Sequence, residues 1–244
     1  MTNATERSLQ ADAISVRFGG LDAIADVSLN IGVSEVFGLI GPNGAGKTTL
    51  VNCLSGFLKP TQGRILVDGR DTRGWSAQRF RSEGISRTFQ AGRLFKDITA
   101  AENVEVAAVG MGLSRRKARR QVAEIMGELG IGAIADKIAG KLPYTDERRV
   151  GIARALVMSP AFILLDEPAA GMSAHECDDL MEIINRIARS HRCSVLLIEH
   201  NISVIMGVCD RIHVLDGGRT LAKGTPTEVR TNEEVITAYL GSEI

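Results

Sequence analysis

The stretch Glu35-Val36-Phe37-Gly38-Leu39-Ile40-Gly41-Pro42-Asn43-Gly44-Ala45-Gly46-Lys47-Thr48-Thr49-Leu50-Val51-Asn52-Cys53-Leu54 decides the fold. A short apolar run reads as a strand, a glycine-rich turn follows, and Lys47–Leu54 reads as a helix. Residues 41–48 satisfy G-x-x-x-x-G-K-[ST] in full. In that pattern Gly41, Pro42, Asn43, Gly44, Ala45 and Gly46 form a loop whose glycines let backbone N–H groups wrap a phosphate with no Cβ in the way. The helix N-terminus adds a favourable dipole. Lys47 is placed to reach the β- and γ-phosphates of a nucleotide, the Thr48 hydroxyl to ligate Mg²⁺, and Thr49 to extend the same contact surface.

The other half of this site is Phe162-Ile163-Leu164-Leu165-Asp166-Glu167, an apolar strand ending in two adjacent carboxylates. In a parallel sheet they stand at the carboxyl edge, beside the phosphate loop. Asp166 suits holding Mg²⁺ through water, and Glu167 suits orienting or deprotonating an attacking water. Pro168 stops the strand. Further strand patterns fall at Ala13–Phe18, Ala25–Ile31, Arg64–Val67, Ile85–Phe89, Ser194–Ile198 and Arg211–Leu215. Helical patterns fall at Ala101–Val109, Ser114–Leu129, Glu147–Met158, Ala174–Ser190 and Ile202–Cys209. Leu9–Asp71 is strand-rich, with turns at Phe18-Gly19-Gly20 and Asp68-Gly69 that suit antiparallel pairing. The strands after residue 160 are continuous apolar runs separated by helices, which suits a buried parallel sheet. Between Ala91 and Ala155 strand signals vanish. The expected organisation is one α/β domain over residues 1–244. Its nucleotide-binding core spans 8–90 and 156–244 and carries an antiparallel β-subdomain, with an α-helical subdomain inserted over 91–155.

Lys+Arg and Asp+Glu both number 29, so the net charge is zero and no bulk field draws the chain to nucleic acid or anionic membrane. A hydrophobic fraction of 44% excludes disorder, and the glycines follow no collagen period. No apolar run approaches the ~18 residues needed to cross a bilayer. Residues 1–15, MTNATERSLQADAIS, lack the basic-then-apolar pattern of a signal peptide, so a soluble intracellular chain is expected. Cys53, Cys177, Cys193 and Cys209 are scattered without a C-x-x-C pair and read as small buried hydrophobes in a reducing compartment.

With both phosphate motifs in place, the chain resembles the ATP-binding cassette (ABC) ATPases, P-loop NTPases, over nearly its whole length. The resemblance implies that Phe18 stacks under the adenine. It implies that Gln90, in Arg87-Thr88-Phe89-Gln90, senses Mg²⁺ and the attacking water, and that His200, in Leu197-Ile198-Glu199-His200-Asn201, contacts the γ-phosphate. On this reading ATP and Mg²⁺ are the cofactors. Lys47, Gln90, Glu167 and His200 carry catalysis, and Thr48, Gln90 and Asp166 hold the metal. The spellings Phe18-Gly19-Gly20-Leu21, Arg93-Leu94-Phe95, Ala101-Glu102-Asn103-Val104, Glu167-Pro168-Ala169-Ala170-Gly171-Met172 and Ala238-Tyr239-Leu240-Gly241 are similar to the ATPases of branched-chain (hydrophobic) amino acid importers. Those systems pair two different cassettes, and His200 is similar to the histidine-bearing member. Urea or amide importers share much of this spelling; lipopolysaccharide-export cassettes match less well at the N-terminal glycine motif.

One element departs from the family pattern. The signature loop Leu-Ser-Gly-Gly-Gln, which caps the γ-phosphate of the opposing subunit, is here Leu142-Pro143-Tyr144-Thr145-Asp146, followed by Glu147. Pro143 removes the serine hydroxyl, Thr145 stands where close backbone approach favours glycine, and Asp146 brings negative charge toward a triphosphate. Relatives tolerate Pro and Tyr at the first two variable positions, so Thr145 and the acidic pair Asp146-Glu147 are the stranger changes. Losing one preorganised donor to a developing charge costs about 3 kcal/mol. Gly171-Met172-Ser173 also lacks an aspartate that many cassettes carry, with Ser173 as the substitute polar group. Tyr144, Thr145 and Asp146 therefore mark a weakened trans contact opposite intact cis groups, and in a heterodimer the two nucleotides would turn over unequally.

The resemblance implies a second ABC ATPase subunit, as a heterodimer or homodimer, two transmembrane permease subunits and, indirectly, a periplasmic solute-binding protein, at the cytoplasmic face of the inner membrane. No nucleic-acid partner is expected. The expected function is the ATP-hydrolysing subunit of an importer for branched-chain or other hydrophobic amino acids or a related small solute. The insertion over 91–155 is the candidate docking surface. Its basic cluster Arg115, Arg116, Lys117, Arg119 and Arg120 reads as a solvated helix face or as a contact for anionic lipid or an acidic loop. Two alternatives stay open: a nucleotide-gated regulatory subunit with weak hydrolysis, and a cassette of a urea/amide or lipopolysaccharide system. A single compact cassette of zero net charge speaks against a role in translation or DNA repair.

Overall fold

A computed structural model describes residues 7–88 and 94–240. The chain runs β1 (Leu9–Phe18), β2 (Leu21–Ile31), β3 (Val36–Ile40), α1 (Lys47–Leu54), β4 (Gln62–Val67), β5 (Arg70–Asp71), α2 (Ala77–Ser82) and β6 (Ile85–Arg87). It continues with α3 (Ala100–Gly110), α4 (Arg115–Glu128), α5 (Tyr144–Leu156), β7 (Phe162–Asp166), α6 (Ala174–Ser190), β8 (Ser194–Ile198) and α7 (Ile202–Val208). It closes with β9 (Arg211–Asp216), β10 (Arg219–Gly224), α8 (Pro226–Arg230) and α9 (Glu233–Leu240).

The strands form two sheets. One is antiparallel, in the order β2-β1-β4-β5; the other runs β10-β9-β3-β8-β7-β6. In the second, β6, β7, β8, β3 and β9 are mutually parallel and β10 returns antiparallel along β9. Every residue of β3, β7 and β8 is buried, which is what continuous apolar runs give when both sheet faces are covered. Their side chains alternate between two cores, as the period of two in a strand requires. Val36, Ile40, Ile163, Leu165, Val195 and Leu197 join a core with α3 to α7. Phe37, Leu39, Phe162, Leu164, Leu196 and Ile198 join the other, with α1 and the antiparallel sheet.

β1 and β2 begin earlier than the sequence pattern indicates, at Leu9 and Leu21 rather than Ala13 and Ala25. A bulge is the reason. Ala13 and Asp26 adopt φ of 50° and 55°, and the β1–β2 register shifts between Ala11 and Ile14. The inward set resets from Leu9 and Ala11 to Ile14 and Val16, which interrupts the alternation. β6 ends at Arg87; Phe89, the expected end of that strand, lies outside the described residues.

From 94 to 156 the described residues form α3, α4 and α5 and no sheet strand. α3 starts on a capping box of Thr99 and Glu102, and its Ala100, Val104, Ala107 and Ala108 share a core with Val122 and Met126 of α4 and Val150 and Ile152 of α5. Among the described residues no helix is long and apolar enough to cross a membrane.

Candidate functional site

The phosphate loop leaves β3 at Gly41, whose φ is 151° and where a Cβ would meet the Leu215 carbonyl oxygen at 2.1 Å. Gly46 closes the loop at φ 95°, with the Ala23 carbonyl oxygen 2.6 Å from where its Cβ would be. Neither position has room for a side chain, so the backbone is pinned where the motif needs it. The far wall is the turn after β9: the Gly218 amide donates to the Ala45 carbonyl at 3.3 Å, and the Gly218 carbonyl accepts from the Ala25 amide at 2.8 Å. Residues 43–49, Leu21, Asp22, Ala23, Gly217, Gly218, Glu167 and His200 line one cleft of about 410 Å³, within the usual size of a small-ligand site.

Lys47, buried at the head of α1, donates from Nζ to the carbonyls of Gly41 at 2.7 Å and Pro42 at 2.9 Å. Burial lowers its pKa, while the charges of Glu167 and Asp166 act the other way. A buried ammonium resting on two carbonyls at the N-terminus of α1 fits a polyphosphate anion. Thr48 is exposed to the cleft.

Glu167 follows β7 with φ of 49°, a left-handed backbone held by its amide donating to the Ile198 carbonyl at 2.9 Å. Such strain in a non-glycine residue persists where the surroundings enforce it, as they do at functional sites. His200 Nε2 lies 2.7 Å from Glu167 Oε1. Behind His200, the buried Glu199 accepts from the Ala169 amide at 2.5 Å and the His200 amide at 3.2 Å, and burial pushes its carboxyl above the usual range. Glu199 thus ties the His200 segment to the loop after β7.

Asp166 stands at the carboxyl edge as expected, but not next to the phosphate-loop strand, because β8 lies between β3 and β7. It is buried, does not line the cleft, and accepts from Arg87 Nη2 at 2.9 Å. Arg87 Nη1 donates to Asn52 Oδ1 on α1 at 2.5 Å. Sequence reasoning missed Arg87, Asn52 and Glu199 as members of the site. Among the described residues no three His, Cys, Asp or Glu side chains converge on a metal position. Thr48 faces the cleft and suits a cation completed by phosphate oxygens rather than one caged by protein alone, whereas Asp166, held by Arg87 outside the cleft lining, suits acting on it through water.

Two groups named from the sequence do not line this cleft. Phe18 does not line it; the wall is formed by its hairpin partner Leu21, and Phe18 stands half-exposed at the tip. Tyr144, Thr145 and Asp146 are at the N-terminus of α5 and are not part of this chain's own cleft. The Tyr144 hydroxyl accepts from Arg148, whose guanidinium sits 4.7 Å over the ring, and Thr145 is hydrogen-bonded to the Glu176 carboxylate on α6. Gln90 lies outside the described residues.

The family model described as ABC transporter matches residues 24–170. The chain belongs to the ABC transporter family. A second model, described as branched-chain amino acid ATP-binding cassette transporter, matches residues 219–244 of this cassette. The cassette is 42% identical to the high-affinity branched-chain amino acid transport ATP-binding protein LivG of Escherichia coli K12, and 40% identical to the corresponding protein BraF of Pseudomonas aeruginosa. Each match covers 96% of this chain and 97% of the relative. The lipopolysaccharide export ATP-binding protein LptB of Haemophilus influenzae is 34% identical over 96% of this chain and 98% of its own. The solved ADP conformation of MJ1267, an ATP-binding cassette of an ABC transporter, superposes with a TM-score of 0.86 at 28% identity, covering 96% and 99% of the two chains. The α/β architecture with an antiparallel β-subdomain is therefore that of an ABC ATPase, and members of this family bind and hydrolyse ATP to power transport.

Proposed function

We propose that this cassette is the ATP-hydrolysing subunit of an importer for branched-chain or other hydrophobic amino acids. Higher identity to LivG and BraF than to LptB, and the match of the C-terminal residues, support that solute class over lipopolysaccharide. The observation that carries hydrolysis is the His200–Glu167 pair at 2.7 Å, facing Lys47 across one cleft.

On this reading the loop amides and Lys47 bind the β- and γ-phosphates, and Thr48, Asp166 and Gln90 hold Mg²⁺. The metal, when bound, neutralises phosphate charge as it builds on the leaving group. His200 orients the Glu167 carboxylate, Glu167 accepts a proton from water aimed in line at the terminal phosphorus, and ADP leaves with the bond electrons. Phe18, at the hairpin tip, offers a face to the adenine. Tyr144, Thr145 and Asp146 complete the nucleotide of a second ABC ATPase subunit, as a weakened cap.

The partners are that second subunit and two transmembrane permeases fed by a periplasmic solute-binding protein, with the cassette at the cytoplasmic face of the membrane. A groove of about 450 Å³ between the core and α3–α5, lined by Phe57, Phe95, Val106, Arg81 and Arg154, is the surface for the permeases. Its aromatics are exposed and two cationic side chains, Arg81 and Arg154, line it with them, so the groove favours an apolar segment bearing an acidic group.

Glu167→Gln tests the chemistry. In the assembled transporter it keeps ATP affinity and lowers hydrolysis about 10²–10⁴-fold, the range for a lost general base. Hydrolysis within threefold of wild type would sink the assignment of Glu167. Equally slow single turnover in both proteins would favour the regulatory reading.

A further inference from the structure

Arg87 ends β6 and Asp166 ends the neighbouring β7, and their side chains are only 5% and 11% exposed. In the parallel register Arg87 pairs with Leu164, so its side chain runs two residues forward along β7 to reach Asp166 Oδ2 at 2.9 Å. The next residue holds the backbone of the same strand. The Thr88 amide donates to the Leu164 carbonyl at 2.9 Å, and Thr88 Oγ1 accepts from the Asp166 amide at 3.3 Å. The second arm of the guanidinium reaches Asn52 Oδ1, on the same helix that Lys47 and Thr48 open. One planar, permanently charged group therefore joins the helix that carries the phosphate-binding lysine to the carboxylate assigned to the metal.

We propose that Arg87 is a positioning residue for metal-dependent nucleotide binding, fixing the aim of the Asp166 carboxylate and tying it to α1 through Asn52. The inference rests on the ATP-binding reading above. A carboxylate at a strand end has a free rotor. A guanidinium that takes Oδ2 and is itself anchored by a second hydrogen bond removes that freedom, which a single-point ammonium does not. Groups that orient a metal-side ligand change metal affinity about 10–100-fold when lost. A merely structural ion pair predicts something different: lower stability, with ATP affinity changed equally in the presence and absence of metal.

The experiment is calorimetric titration of the full chain with ATP, in EDTA and over a series of free Mg²⁺ concentrations, for wild type, Arg87→Lys, Arg87→Met and Asn52→Ala. Arg87→Met raises the Mg²⁺ concentration for half-maximal ATP binding by about tenfold or more, with ATP affinity in EDTA unchanged. Arg87→Lys falls between it and wild type. Asn52→Ala, which leaves both members of the Arg87–Asp166 pair in place and removes the Asn52 hydrogen bond, moves the half-point the same way by a smaller factor and decides the matter should Arg87→Met not fold. A half-point for Asn52→Ala within experimental scatter of wild type overturns the inference. So does a lower Mg²⁺ requirement in Arg87→Met, or an equal loss of affinity with and without metal. A wild-type chain that ignores ATP with Mg²⁺ present overturns the functional reading itself, so the two failures are distinct.

Discussion

His213 on β9 is 1% exposed, with Nε2 2.9 Å from Thr220 Oγ1 and its ring 6.4 Å from that of Phe37. Burial, and secondarily Lys223 opposite it in register, push its pKa from 6.5 down to about 4. Above pH 6.5 the imidazole is neutral in both folded and unfolded chains, and the shift is without effect on stability. Between pH 6.5 and 4 the unfolded chain binds more protons, so stability falls as pH falls, by about 3 kcal/mol at pH 4. Urea unfolding of wild type and His213→Gln should therefore show a stability difference that shrinks by about 3 kcal/mol between pH 7 and pH 4; a constant difference would refute it. At this scale the sequence reveals some site residues and hides others for a physical reason. Residues 41–48 do their work as one contiguous turn and helix start, so spacing alone discloses them. Arg87 acts on groups 35 and 79 residues away, and Glu199 on an amide 30 residues away. Those are through-space pairings that no local period encodes.

Among the elements, β3, α1, β8 and α6 begin and end where the sequence pattern puts them. The strands of that set are unbroken apolar runs, and α6 carries its own boundary in the Ser173–Glu176 capping box. β5, β10, α2, α8 and α9 escape such a reading. β10 has no buried residue, being an edge strand, and α2 buries only Phe80. α5 begins at Tyr144, three residues before the expected Glu147, because Pro143 occupies the N-cap position and the helix starts at once. That early start gives the acidic pair a local reason to exist. Asp146 and Glu147 fall in the first turn, where negative charge is favourable to the helix dipole, and Glu147 pairs with Lys96. The same charges oppose an incoming phosphate, and Thr145 is turned toward Glu176 of its own chain. On the proposed reading, an opposing subunit with an intact loop caps one of two bound nucleotides well, while this chain caps the other poorly. In the assembled complex, single-turnover hydrolysis should consume about half the bound ATP in its fast phase. Thr145→Gly with Asp146→Gln should bring that fraction toward all of it and raise steady-state activity about twofold. An unchanged fast fraction would remove the asymmetry and leave the rest of the assignment standing.

Across the whole molecule, one sheet separates two cores, and the nucleotide cleft and the α3–α5 groove engage the two ends of the same α1. Lys47 and Thr48 open α1 at the cleft, and Ser55 and Phe57, just past its end, line the groove. Arg87 also lines the groove while bonded to Asp166, so a segment seated there touches a residue that contacts the candidate metal side. On the proposed reading, binding of the permeases and binding of nucleotide are separable by mutation at groove residues such as Phe57 and Phe95, which do not line the nucleotide cleft. Phe57 and Phe95 are 58% and 56% exposed, so truncating them removes little that holds the fold together, and exposed positions of this kind change stability by only about 0.5 kcal/mol. At an interface, buried aromatic anchors are worth about 2 kcal/mol or more each, roughly 30-fold in affinity. Phe57→Ala and Phe95→Ala should therefore leave the melting temperature and Mg-ATP affinity of the isolated chain unchanged. Combined, they should abolish co-purification with the permeases and uncouple residual ATP hydrolysis from solute uptake in vesicles. Retention of full co-purification by the double variant would move the docking surface elsewhere on α3–α5, and the exposed Val109 of α3, in the depression it shares with Arg115 and Arg119, would then be the next residue to truncate.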